Sequence, residues 1–283
     1  MRRGLVATAA VLMAVVGCGA EDDEDLIIDY GPAVSPYSGP LHIPVQEVDE
    51  STPEAMLLSS GAAGRALECD GEIAWGGGPD GWSESDGGDS PEDGLRLYFD
   101  MFEPTGPRSG FRVEREEADR VLYSYDVDGR TKVAVVVAKD QKDRPGWGPE
   151  TNASCDPAEL PASVTDSGDQ EIWTDGNGRR VPTTTLSSYA GAEHCDWQKV
   201  HFLGMGRAED HRQYVRDPGG ALPAELLTAP YDGDVPMPAN AHDTGYRYQD
   251  WRLWLTEDRR TAYVRTSDGV EAWPLAKEMV ACK

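Results

Sequence analysis

Five cysteines (Cys18, Cys69, Cys155, Cys195 and Cys282) and five histidines (His42, His194, His201, His211 and His242) carry most of the reactive capacity of this 283-residue chain. A cysteine can close a disulfide, bind zinc, attack an electrophile or carry a lipid, and its spacing narrows the choice. No C-x-x-C occurs, so zinc ribbons and thioredoxin-type exchange have no local support. The histidines show no repeated ligand spacing, although His194 and His201 flank Cys195 and could approach each other. G-x-S-x-G, H-E-x-x-H and G-x-x-x-x-G-K-[ST] are all absent, which removes the commonest hydrolase, zincin and P-loop signals. Gly204-Met205-Gly206 begins like a dinucleotide loop but lacks the third glycine.

Cys18 stands apart from the other four cysteines. Arg2 and Arg3 precede an apolar run from Leu5 to Val16, and an acidic block from Glu21 to Asp25 follows. A spanning helix needs about 20 apolar residues, so this run is too short and reads as an export signal. Val15-Val16-Gly17-Cys18 resembles the bacterial lipobox, in which the chain is cut before cysteine and the sulfur receives diacylglycerol. Two acyl chains, at about 0.8 kcal/mol per buried CH₂, hold a protein stably on a membrane. The chain is therefore expected on the outer face of the cell membrane, lipidated at Cys18. Lipidation of Cys18 also leaves an even set of four cysteines, suited to an oxidising compartment.

Those four are regularly placed. Cys69 to Cys155 spans 86 residues and Cys195 to Cys282 spans 87. Near-equal intervals prompt a comparison of the halves. "LLSSGAAGRALECD" ending at Asp70 matches "TLSSYAGAEHCD" ending at Asp196. "SPEDGL" from Ser90 matches "DPGGAL" from Asp217, and "SGFR" from Ser109 matches "TGYR" from Thr244. A strand–turn–strand pattern follows each. The order predicts a tandem duplication and the disulfides Cys69–Cys155 and Cys195–Cys282, since that pairing lets each unit close alone.

The elements that must position these residues follow from local chemistry. Ser90-Pro91 and Asp217-Pro218 carry N-cap and first-turn signals. Glu92 and Asp93 favour the positive end of the first helix, and "LRLYFDMF" supplies helical apolar spacing. Asp128-Gly129 and Asp268-Gly269 sit between runs of β-formers and predict hairpins. The expected fold is α+β: two tandem modules, each a small antiparallel sheet with a short helix and one disulfide. The expected boundaries are a signal over 1–17 and an acidic, proline-broken tether over 18–57. Module one then covers 58–160, a connector with a hairpin near Gly176-Asn177-Gly178 covers 161–185, and module two covers 186–283.

The chain holds 51 acids against 26 bases, and loss of Arg2 and Arg3 with the signal leaves 24 bases. Phosphate backbones are bound by basic surfaces, so nucleic acid is excluded as a partner. The stretch Asp80 to Asp93 gathers Asp80, Glu84, Asp86, Asp89, Glu92 and Asp93 among glycines, which hard cations prefer. Calcium is the weakly supported cofactor there, chiefly at Asp80, Asp86, Asp89 and Asp93, because the EF-hand spacing is missing. Eight tryptophans suggest stacking on a glycan, although core packing is the default for most. In "WRLWL" the strand period places Trp251, Leu253 and Leu255 on one face and Arg252 and Trp254 on the other.

The duplicated pattern, with "GFRVEREEADRVLYSYDVDGRTKVAVVVA" in one half and "DTGYR" and "WLTEDRRTAYV" in the other, is similar to uncharacterised exported proteins of high-GC actinobacteria. The resemblance covers nearly the whole mature chain and implies neither an activity nor catalytic residues. The functional expectation is a non-enzymatic, membrane-anchored protein that binds an envelope protein or glycan. The alternative is an exported hydrolase using acidic residues and a histidine such as His201. A cleft with converging titratable groups would favour the second, and an exposed aromatic patch the first.

Overall fold

The computed structural model describes residues 26–282 except 32–35, 47, 49–51, 79–81, 104–107, 166–169 and 208–209. Cys18 and the signal lie outside the described residues, as does Asp80. The first unit runs β1 (Ile27–Asp29), α1 (Pro53–Ser59), α2 (Gly61–Ala66), β2 (Ile73–Gly77), α3 (Pro91–Phe102), β3 (Ser109–Glu116), β4 (Arg120–Val127), β5 (Arg130–Gln141) and β6 (Arg144–Cys155). These strands form one sheet in the order β1-β3-β4-β5-β6-β2, antiparallel except where β1 joins β3 in parallel. Helices cover both faces. Leu95, Tyr98 and Phe99 of α3 pack on Phe111, Tyr123, Val135 and Val137, while the small residues of α2 and Leu41 pack on Leu122, Ala134 and Val136. That double burial explains why β5 reads as the unbroken apolar run Val133 to Ala138.

Two local signals act as their chemistry dictates. Ser90 caps α3 by accepting from the Asp93 amide, and Asp93 reaches back to the Ser90 amide, a reciprocal box with Pro91 in the first turn. Between β4 and β5, Asp128 and Gly129 both take positive φ (53° and 77°) in a two-residue turn closed by the Val127–Arg130 pair. Such primed turns match the twist of the strands they join.

The second unit follows α4 (Ala162–Thr165) and comprises β7 (Leu186–Ala190), β8 (His201–Met205), β9 (Arg212–Arg216), β10 (His242–Tyr248), β11 (Trp251–Leu255), β12 (Thr261–Arg265) and β13 (Val270–Pro274). Continuous backbone pairing groups these strands into two antiparallel sheets, β7-β8-β9 and β10-β11-β12-β13. Backbone bridges join the two sheets at both sides. Tyr214 of β9 pairs with Leu275 beyond β13, while the segment 170–174 bonds β7 through Gln170–Tyr189 and β10 through Thr174–Arg247. The seven strands and that segment thus close into a ring around one core. Trp173, Leu203, Tyr214, Leu253, Val264 and Trp273 fill it.

The structure joins Cys69 to Cys155 and Cys195 to Cys282, with Cα atoms 5.3 and 6.3 Å apart. The chain is mixed α and β with two disulfides, but the expected likeness of the two units fails in detail. The first sheet has six strands rather than a small antiparallel set, and the second unit has two sheets. Among the described residues no α-helix follows Thr165, so Asp217-Pro218 starts none. Asp217 instead accepts hydrogen bonds from the amides of Ala221 and Leu222, turning the chain so that Leu222 is buried. Part of the expected tether is also folded: β1 extends the sheet and Leu41 is buried in its core. Within the expected connector, Thr174 pairs with Arg180 across the predicted hairpin, while Trp173 is fully buried in the ring.

An ionic seam joins the units. Buried Asp156 accepts from the Thr183 amide and hydroxyl, and Arg180 donates to the carbonyls of Pro157 and Ala158 and to the Thr165 hydroxyl. A cavity of about 650 Å³ lies along the seam, where Arg130 pairs with Asp70, Lys132 with Glu159, and Arg207 with Glu72. No helix among the described residues is long and apolar enough to cross a membrane.

Candidate functional site

Two places gather chemistry, one at the mouth of the ring and one against the first sheet. In the ring, strand alternation sends Ser188, His201 and Arg216 inward, His201 and Arg216 being direct partners across β8 and β9. Glu171, 7 % exposed, enters from the bridging segment. Its Oε1 lies 2.6 Å from His201 Nδ1, and its other oxygen accepts from the Ser188 hydroxyl. Beside it, Arg216 grips Glu271 with two hydrogen bonds of 2.7 and 2.9 Å, and Trp273 Nε1 donates to the same carboxylate at 2.8 Å. Trp251 joins the two pairs, edge-on to His201 at 5.1 Å and beneath the Arg216 guanidinium at 5.7 Å. Burial pushes the Glu271 carboxyl up, but the hydrogen bonds from Arg216 and Trp273 and the Arg216 charge outweigh it and hold the group below its ordinary value. Burial raises the nearby Tyr231 phenol to about 12, the charge of Glu271 adding to it.

The chemistry this cluster can perform is limited by who bonds whom. A nucleophilic serine needs the imidazole to accept its proton, whereas Ser188 donates to Glu171 instead. What remains is a histidine oriented through Nδ1 by a carboxylate, the arrangement of a general base acting on water.

The second place is a groove of about 570 Å³ between α3, β2 and the sheet. Aromatic rings follow one another along it: Trp75 to Phe102 at 6.2 Å, Phe102 to Tyr98 at 5.7 Å, Phe99 to Phe111 at 5.2 Å, and Phe111 to Tyr125 at 5.6 Å. Trp75 sits on the edge strand β2 and is 45 % exposed, the most open of the tryptophans. Glu103, the C-cap of α3, lines the same groove. The residue reaches solvent, yet apolar packing around it raises its carboxyl above the ordinary value. Among the described residues no hydrogen bond or ion pair meets that carboxylate. The size and lining match those of small-molecule sites, largely apolar with a few placed polar groups, Glu103, Ser154, Thr165, Gln170 and Thr183.

The residues singled out by sequence fall unevenly on these sites. His201 lies in the ring cluster, but His194 does not join it; its Nε2 is 3.0 Å from Cys282 Sγ at the second disulfide. His42 faces Glu150 at 3.6 Å, and His242 is exposed on β10. Trp251 faces inward as its strand period requires, while Trp254 is half-buried under Arg265 at 5.3 Å. Of the acids proposed for calcium, Asp93 is occupied as the α3 cap and Asp86 accepts from the Ser83 amide. Among the described residues no such bond meets the carboxylates of Glu84 and Asp89, and Glu92 accepts from the Tyr30 hydroxyl. Among the described residues, close sets of three metal-type ligands occur only at the two disulfides, with His194 or Glu159 as the third group. Glu103, Glu171, Ser188, Arg216 and Glu271 carried no local signal beyond a polar residue on an apolar face. No protein-family model, curated protein or solved structure matches the chain.

Proposed function

We propose that the protein is a binding protein of the cell envelope, held on the outer face of the membrane by diacylglycerol on Cys18, whose aromatic groove takes the ligand. The observation that carries this reading is Trp75, exposed on an edge strand at one end of a series of neighbouring rings. A large apolar side chain exposed beside a cavity marks a binding surface more often than a folding need. Replacing Trp75 by a photo-crosslinking residue in envelope-bound protein tests it. A discrete adduct is expected, lost when Phe102 becomes Ala and absent when the same residue replaces exposed Met279. Identical adducts at positions 75 and 279 would end this reading. The anchor has its own test: Cys18→Ser protein should leave the detergent phase, and equal aqueous partitioning of both forms removes the lipid.

The alternative, an exported hydrolase, draws on the Glu171–His201 pair. Its expectation is that p-nitrophenyl acetate is hydrolysed with a rate that His201→Gln abolishes and Trp75→Ala leaves unchanged. We further read the two units as a tandem duplication, on the support of the ordered sequence matches and the near-equal disulfide loops of 86 and 87 residues.

A further inference from the structure

We propose that the occupant of the aromatic groove is a small organic cation, an alkylated ammonium compound whose charged head lies beside Glu103 and whose apolar body rests on Trp75 and Phe102. The inference rests on reading the groove as the ligand site and adds the ligand's charge. Glu103 is the single carboxylate among the described residues lining the groove. No described residue pairs with it, and its loss of solvation is one that a bound cation would offset through Coulomb attraction. Its position adds to the strain on the charge. Glu103 caps the C-terminus of the 12-residue helix α3, the negative end of the helix dipole, and the last turn of α3 has no basic residue to balance it. Ring faces add further negative potential, and cations over tryptophan or tyrosine faces are attracted to the ring quadrupole. The whole chain, at −25, favours the approach of cations and repels anions. Seam cations cannot compete for this role, since Arg130, Lys132 and Arg207 are all paired with acids.

Calorimetric titration with benzyltrimethylammonium and its uncharged isostere neopentylbenzene, alongside the anion phenylacetate, tests the proposal on the full chain. The cation should bind about tenfold more tightly than the isostere, and phenylacetate should not bind. Glu103→Gln should reduce the preference several-fold while leaving the isostere's affinity unchanged, and Trp75→Ala should weaken both ligands. Because no described group bonds the Glu103 carboxylate and its charge is disfavoured where it sits, the Gln variant should melt at or slightly above the wild-type temperature, which verifies that it folds. Equal affinity of cation and isostere for the wild type overturns the proposal and leaves the groove as a ligand site. A cation preference undiminished by Glu103→Gln overturns it too, and binding of none of the three probes overturns the groove reading with it.

Discussion

At the scale of single residues, the ring mouth shows how much depends on pairing. Arg216→Ala would leave Glu271 buried at 7 % exposure with only Trp273 and Tyr231 to satisfy it. Breaking such a pair costs about 3 kcal/mol, because the remaining charge is uncompensated. Urea unfolding should show that loss at neutral pH. The pH dependence has a definite sign. The Glu271 carboxyl lies below its ordinary value in the fold, so its contribution is present above about pH 4.3 and disappears as pH falls through the folded value. The gap between wild type and Arg216→Ala should therefore close in acid. A second residue-scale expectation concerns calcium. Asp93 and Asp86 already serve backbone amides, so millimolar calcium should leave the melting temperature unchanged. A site binding only the native state at a hundredfold excess would add about 2.7 kcal/mol, a rise of several degrees.

At the scale of elements, Ser90→Ala should cost about 1 kcal/mol by removing the cap of α3, measurable as a lower denaturant midpoint with an unchanged slope. Here sequence and structure agree because the cap, the proline and the acidic first turn act over four adjacent residues. The Asp128-Gly129 turn was legible for the same reason: two positive φ values are a local demand that local residues meet. Asp217-Pro218 carries the same kind of signal and starts no helix. Tertiary burial of Leu222 wins over cap propensity there, and Asp217 commits its carboxylate to a turn. The candidate sites were harder still. Glu171 and His201 are 30 residues apart and meet only because the segment 170–174 is inserted between β7 and β10. Periodicity in "HFLGM" and "RQYVR" could show that His201 and Arg216 share an apolar face, but nothing local shows what they face. Trp75 gave no more signal than the seven tryptophans that are less exposed.

At the scale of the whole molecule, the disulfides close loops of 86 and 87 residues that leave β1, α1 and α2 of the first unit and β7 of the second outside, and the chain-entropy account gives about 4.6 kcal/mol for each. Cys195→Ser/Cys282→Ser should lose stability of that order. The folded tail should nonetheless stay docked, since Gln213 accepts from the Val280 amide and donates to its carbonyl. Non-reducing peptide mapping should recover only the Cys69–Cys155 and Cys195–Cys282 peptides, and a Cys155–Cys195 peptide would contradict the architecture. The closed ring bears on how copies of this chain can meet. Bridges at Gln170–Tyr189, Thr174–Arg247 and Tyr214–Leu275 interrupt the outer edges of β7, β10 and β9, which shortens the unpaired row each offers to a neighbouring chain. In the first sheet the open rows belong to β1, three residues long, and to β2, which carries two glycines and the exposed Trp75. If concentrated protein assembles through the first sheet, β2 is where an intermolecular strand would add, and whatever fills the groove beside it would delay that step.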